Sequence, residues 1–363
     1  MKKGLLTAVL AGLLLAASAV PATAHGQAVV VLDRQVLDAP AVIDGGAVSL
    51  PLRCICRALG YAVTWSDTGG RRTIHVSRNG EEILMDLTDQ QIRKNGHLFS
   101  AQTVRGDGIR LVDGAVYMDA DVFKLVFPVR ATYDKADGRV LLSVRVENDI
   151  AVVTETLTGE GRYLFADIQY PRLAGNGDAA ALEKVNRRLR ETAERALAAG
   201  EKNADDMAQA IRDGYTGAVG NCETLVDYTV YYNENGLFSV ALTEYQYAGG
   251  AHGATYKHGF TFDLSTGRAL DLPELMAEGS GWRDYLNRAI RREIDSREKA
   301  GILSEFDTGR FEDIGQDPDY YLTDGALVIF FQQYDYFPYV AGIQEFYIPY
   351  RELAGMMKSE YQL

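Results

Sequence analysis

Apolar and polar positions fall into three rhythms along the 363 residues. Between residues 27 and 148, short apolar runs alternate with turn signals, the mark of strands and hairpins. From 178 the period lengthens. In ALEKVNRRLRETAERALAAG, Leu182, Val185, Leu189, Ala193 and Leu197 share one stripe, behind Asp178 as N-cap and ahead of Gly200 as a stop. A second helix is expected near residues 203 to 212. Period two returns in LVDYTVYYNENGLFSVALTEYQY, a hairpin around Asn235-Gly236, and in HGFTFDLSTGRALDL, a hairpin around Thr266-Gly267. GWRDYLNRAIRREIDSREKAG is helical again through Trp282, Leu286, Ala289, Ile290 and Ile294, ending near Gly301, and DGALVIFFQQYDYFPYVAGIQEFYIPYREL supplies two further strands. Strands surrounding helical segments predict an α+β module with an antiparallel sheet over residues 149–363.

The first rhythm contains a duplication. GAVSLPLRCICRALGYAVTWSDTGGRRTIHV (46–76) lies over GAVYMDADVFKLVFPVRATYDKADGRVLLSV (114–144) without a gap at a shift of 68, with Gly46, Ala47, Val48, Gly70, Arg71 and Val76 recurring and Trp65 meeting Tyr133. Each unit reads strand, short helix, strand, hairpin, strand, with turns at Gly69-Gly70 and Asp137-Gly138. SRNGEEI adds a hairpin at Asn79-Gly80. Residues 25–148 are therefore expected to form a duplicated β-rich module with short helices.

Met1-Lys2-Lys3, the uncharged run Leu5 to Val20 and Pro21-Ala22-Thr23-Ala24 have the form of a signal peptide over residues 1–24, so the mature chain is expected to start at His25 and to be exported, extracellular, periplasmic or wall-associated. Retained as an anchor, the segment would leave the remainder facing outward. No later stretch is long and apolar enough to span a bilayer as a helix. Losing Lys2 and Lys3 leaves 35 basic against 50 acidic side chains, a charge of −15 that disfavours nucleic acid and anionic wall polymers. Three cysteines give no disulfide framework, and Cys54-x-Cys56 on a helix points its thiols apart.

DGGAVSLPLRCICRALGYAVTW resembles the copper amine oxidase N-terminal-like domain, an export-associated stalk, through its Pro-Leu-Arg step, a short helix ending in Leu-Gly and a strand ending in Trp. Cys56, Arg57 and a degenerate second helix depart from that pattern. The name does not bring oxidase chemistry with it. Gln333-Tyr334-Asp335-Tyr336 has Gln where that cofactor motif has Asn, and the C-terminal half has two histidines, too few for three imidazole ligands. DIQYPRLAGNGDAAALEKVNRRL resembles domain of unknown function 4163, placed at 149–220. TEYQYAGGAHGATYKHGFTFDLSTGRALDLPELM and FFQQYDYFPYVAGIQEFYIPYREL resemble domain of unknown function 3298, placed at 221–363. The pair occurs in RsiV-type anti-sigma factors that sense lysozyme and beside the catalytic domain of some peptidoglycan deacetylases. That resemblance implies lysozyme or a peptidoglycan fragment as partner, and a cationic partner would suit the acidic chain.

Candidate chemistry concentrates in residues 245–272. His252 and His258 are six apart, which matches neither a helical pair nor one strand face, and Asp263 is the nearest downstream carboxylate; no metal or cofactor is implied. Gly249, Gly250 and Gly253 favour a tight loop in which His252 locks against a carbonyl or a tyrosine hydroxyl. Hydrolase motifs are absent, and Asp317-Pro-Asp319 with Asp324-Gly325 reads as a solvated acidic loop. Tyr245, Tyr247, His252, Tyr334, Tyr336 and Tyr339 are the ligand-binding candidates, since tyrosine couples a broad apolar face to a hydrogen-bonding tip. The expectation is a non-enzymatic envelope binding protein. A wall-active hydrolase using His252 or His258, or a structural spacer, are the alternatives.

Overall fold

The computed structural model describes residues 26–78, 81–99, 108–214, 220–303 and 311–361. The leader, His25 and the Asn79-Gly80 turn lie outside the described residues. The N-terminal module runs β1 (Gly26–Leu32), β2 (Gln35–Val36), β3 (Ala41–Asp44), β4 (Ala47–Pro51), α1 (Leu52–Ala58), β5 (Ala62–Thr68), β6 (Arg71–Arg78), β7 (Glu81–Asp86), β8 (Gln91–Lys94), β9 (His97–Phe99), β10 (Ile109–Val112), β11 (Ala115–Asp119), α2 (Ala120–Val126), β12 (Val129–Asp134) and β13 (Arg139–Val144). Strand order is β10-β11-β4-β3-β1-β13-β12 in one sheet, with β2 on β1, while β5 to β9 form a five-stranded meander. The duplication is visible as β4-α1-β5-β6 against β11-α2-β12-β13. The second helix, degenerate in sequence, still forms, because the Asp119 carboxylate caps Asp121 N at 2.8 Å and Val122, Phe123 and Val126 are buried. Leu50, Ile55, Cys56, Val76, Ile83, Met85, Phe123 and Phe127 share one core. Cys56 is buried there, Cys54 is half-buried beside it, and both are free thiols.

The C-terminal module runs β14 (Ile150–Gly161), β15 (Leu164–Gly175), α3 (Ala179–Arg212), β16 (Cys222–Glu234), β17 (Leu237–Tyr247), β18 (Ala254–Asp263), β19 (Arg268–Ala269), α4 (Leu272–Leu275), α5 (Trp282–Lys299), β20 (Tyr320–Leu322), β21 (Ala326–Phe331) and β22 (Gln344–Pro349). A six-stranded sheet β14 to β19 packs one face on α3, and β20-β21-β22 form a smaller sheet. The larger sheet is antiparallel except at β15–β16, which pair in parallel because α3 carries the chain across between them. One sheet thus crosses residue 220.

The expected break at Gly200 does not occur, and α3 is a single 34-residue helix. Asp178 caps it as expected, accepting from Ala181 N at 2.8 Å. Gly200 serves contact instead: a Cβ there would collide with the Thr224 side chain on β16, so the glycine lets helix and sheet approach closely. Leu182, Val185, Leu189, Ala193 and Ala196 are buried against Ile168, Val226, Val240 and Leu242. Asn186 ties the helix to β15, accepting from Leu173 N at 2.7 Å and donating to Leu173 O at 2.9 Å. Asn235 and Gly236 both take positive φ in the β16–β17 turn, as an Asn-Gly hairpin requires. β20 escaped the sequence reading.

The two modules are joined by more than a linker. Asn148 Nδ2 donates to Asn233 Oδ1 at 2.9 Å and to Leu237 O at 2.8 Å, and its Oδ1 accepts from Gly236 N at 2.8 Å. His97 Nε2 lies 2.7 Å from Asp227 Oδ1 with its ring stacked on Tyr228, and Arg130 reaches Glu234 at 2.5 Å.

Candidate functional site

Strand alternation decides which candidates can meet. Leu242 and Phe260 belong to the core beneath α3, and Gln246 Nε2 donates to Ala196 O of that helix at 3.0 Å. His258 pairs with Leu242 and Tyr256 with Glu244, so Glu244, Tyr256 and His258 face α3, while Tyr245 and Tyr247 face the opposite side.

On the α3 side, His258 Nε2 lies 2.8 Å from Glu244 Oε2. Burial pushes the Glu244 carboxyl up, but hydrogen bonds with His258 and Gln246 and the nearby charges of His258 and Arg195 outweigh it and leave the pKa lowered. A cavity of about 250 Å³ opens here, lined by Arg188, Arg195, His258, Asp271, Asp317 and Asp319 among others. Asp319 is not a free loop acid: Gln332 Nε2 donates to it at 3.0 Å, and loss of water around it, with Asp335 and Asp317 nearby, raises its pKa. An imidazole oriented by a carboxylate can exchange protons. No serine or cysteine occurs among the described residues lining this cavity.

On the other side, the edge of β18 is closed by side chains. Gln332 Oε1 accepts from Lys257 N at 3.0 Å and its Nε2 donates to Lys257 O at 2.7 Å, while Gln333 Oε1 accepts from Thr255 N at 2.8 Å. These amides imitate another strand and dock the segment after β21 against the Gly-rich loop. Tyr334 sits there in left-handed backbone with φ 71° and is 53% exposed. His252 stacks on Tyr339 with ring centres 3.8 Å apart and 22° between planes, and Tyr334 lies 6.0 Å from Tyr339. His252 Nδ1 also contacts Gly253 O at 2.9 Å, so the lock expected for this histidine is a carbonyl and a ring face, with no tyrosine hydroxyl involved.

The remaining candidates divide. Tyr245 supports the loop from below, since a Cβ on Gly253 would come within 2.5 Å of its ring. Tyr247 donates its hydroxyl to Gly250 O at 3.1 Å. Tyr336 is architecture: its ring meets Phe331 edge-on at 4.8 Å and Phe311 at 5.3 Å, and its hydroxyl donates to Asp313 O at 3.0 Å. Asp263 is committed to its turn, accepting from Ser265 and Thr266. Among the described residues no three His, Cys, Asp or Glu side chains gather as a metal site. The docking role of Gln332 and Gln333 was missed; two amides straight after a six-residue apolar strand were the available signal.

Three family models match successive stretches of the chain. They are the copper amine oxidase N-terminal domain over residues 30–142, deacetylase PdaC over 158–255 and the protein of unknown function DUF3298 over 273–351. The Gly-rich loop falls in the PdaC-type match. The peptidoglycan-N-acetylmuramic acid deacetylase PdaC of Bacillus subtilis (strain 168) is 22% identical over 230 residues, which take in 61% of this chain and 45% of that protein. The chain therefore spans less than half the length of this curated relative. Solved DUF3298 family structures from Bacteroides fragilis NCTC 9343 and Pseudomonas aeruginosa PAO1 align at TM-scores of 0.45 and 0.42, with 17% and 19% identity, covering 58% of this chain and 94% and 95% of theirs. The N-terminal module is thus similar to the copper amine oxidase N-terminal domain, and the C-terminal module to a PdaC-type segment followed by a DUF3298-type one.

Proposed function

We propose that this chain is an exported, non-enzymatic protein of the bacterial envelope that binds cell-wall glycan through the ring surface of His252, Tyr334 and Tyr339. The observation that carries the reading is the stack of the exposed His252 on the half-buried Tyr339, held in place by the Gln332 and Gln333 amides. Stacked rings with polar tips suit a sugar, whose faces are apolar and whose rim is hydroxylated. Distant similarity to a peptidoglycan deacetylase supports a wall-related role. The test is a pull-down of the purified chain with insoluble peptidoglycan, comparing the parent with Tyr339→Ala and Tyr334→Ala. Retention by the parent and release of both variants is expected; equal retention of all three sinks the reading. A second reading, recognition of cationic lysozyme, is favoured by the net charge of −13 and would appear as a salt-sensitive complex indifferent to Tyr339→Ala. Release of muropeptides by the parent and not by His258→Gln would instead favour a hydrolase.

A further inference from the structure

The duplication of the N-terminal module creates two equivalent sites, and only one has its cation paired. β4 and β11 pair antiparallel with Leu50 opposite Met118, residues that are each other's counterparts at the shift of 68, so a local two-fold axis passes through that pair. Each short helix therefore faces the hairpin of the other repeat across a groove. Beside α2 the groove is a cavity of about 270 Å³ lined by Gly46, Ala47, Val48, Asp121, Lys124 and Tyr133 among others. Beside α1 it is a cavity of about 780 Å³ lined by Gly114, Ala115, Val116, Arg53, Arg57 and Trp65 among others.

The sequence differences between the two account for their chemistry. Asp121 corresponds to Arg53, Leu125 to Arg57 and Tyr133 to Trp65. In the smaller groove Lys124 Nζ meets Asp121 at 2.8 Å and Asp119 adds a second carboxylate, so no cation is left unpaired. In the larger one Arg53 and Arg57 have no ion pair or side-chain hydrogen bond among the described residues, against a single lining carboxylate, Asp38. A cationic groove on a chain of net charge −13 is complementary to an anion. Its rim is apolar: Trp65 is 40%, Leu111 43% and Val36 63% exposed. A volume of about 780 Å³ lies in the small-ligand range of roughly 300–1,000 Å³.

We propose that the groove between α1 and the β10–β11 hairpin binds a pyranose ring that bears a carboxylate arm, with the ring on Trp65 and the carboxylate on Arg53 and Arg57. An indole face is suited to the C–H face of a sugar, and a guanidinium takes a carboxylate through two parallel hydrogen bonds. The inference is independent of the His252–Tyr339 surface.

The chain has two tryptophans, so Trp282→Phe in the full chain makes Trp65 the sole indole reporter. Titration with N-acetylmuramic acid is expected to change its fluorescence saturably. N-acetylglucosamine, which lacks the carboxylate, should bind about tenfold more weakly or less, and Arg53→Ala with Arg57→Ala should remove that preference. Both arginines are exposed, and an unchanged far-ultraviolet circular dichroism spectrum confirms that the variant folds; Arg53→Gln alone provides a milder step. Asp121→Ala in the equivalent groove should leave binding unaltered. No saturable change, equal affinity for the two sugars, or undiminished affinity in the double arginine variant overturns the proposal.

Discussion

Around Lys257, the rings of Tyr231, Tyr321 and Phe330 enclose an ammonium, whereas beside His252 Tyr334 is exposed and Tyr339 only half-buried. Both groups are tyrosine-rich and both flank β18, yet every tip in the first is committed. Lys257 is ion-paired with Glu345, whose carboxylate also accepts from the Tyr321 hydroxyl at 3.0 Å and the Tyr347 hydroxyl at 3.2 Å. The ammonium lies 5.5 Å from the Tyr321 ring centre and 5.9 Å from those of Tyr231 and Phe330. In the second group His252 and Tyr339 stack, and Tyr334 is 53% exposed. Enclosure, not composition, sets the two groups apart.

Lys257→Met should have the largest effect. It strands the Glu345 carboxylate in a site where lysine and glutamate are 11% and 18% exposed, and should cost about 3–5 kcal/mol in chemical denaturation. A loss below about 1 kcal/mol would put the enclosed cluster on the same footing as the exposed one.

Gly253→Ala comes next, at about 1–3 kcal/mol, since its methyl group meets the Tyr245 ring and Gln246 O. It should also weaken glycan retention by displacing His252. Retention unchanged beside a clear stability loss would detach the loop from the site.

Acid should weaken the enclosed region. Burial raises the Glu345 carboxyl, but the Lys257 charge and hydrogen bonds from Lys257, Tyr321 and Tyr347 leave its pKa lowered, and Glu244 is lowered as well. A carboxylate depressed on folding stabilises above its unfolded pKa of about 4.3 and loses that contribution as pH falls through the folded value. Tm should therefore stay level from neutrality down to about pH 5 and drop below about pH 4. Glu345→Gln should flatten that drop; an identical acid limb would remove the pair from the account.

The smallest effect on stability belongs to Tyr334→Ala, within about 0.5 kcal/mol for a half-exposed ring. Its effect on retention is expected to be the larger. A Tm shift comparable to that of Gly253→Ala would mean that Tyr334 is structural.

Much of this was legible in the chain. The shift-68 duplication, the Asn235-Gly236 hairpin, the Asp178 cap and helix α5 depend on local spacing, which a sequence displays directly. Gly200 misled because its purpose is tertiary: propensity counts a glycine as a helix stop, and only the Thr224 side chain beneath it explains why the helix continues. Tyr336 misled for a similar reason, since it follows Tyr334 at a spacing of two but the segment is no strand. Left-handed backbone at Tyr334 turns the chain, sending Tyr336 into the Phe311 and Phe331 cluster. The two equivalent grooves needed both levels, with repeat identity from sequence and the pairing of Leu50 with Met118 from structure.

The parallel seam between β15 and β16 also sets an order of events. β14–β15 and β16–β17 are antiparallel neighbours that can close as local hairpins, and α3 can wind on its own stripe. Leu164 meets Cys222 only after the whole helix has been laid down, so this seam carries the long-range closure of the module. Until it zips, β15 offers a row of unpaired backbone groups to any neighbouring chain. Refolding yield should consequently fall with protein concentration, and amides along the seam should gain protection from hydrogen exchange last.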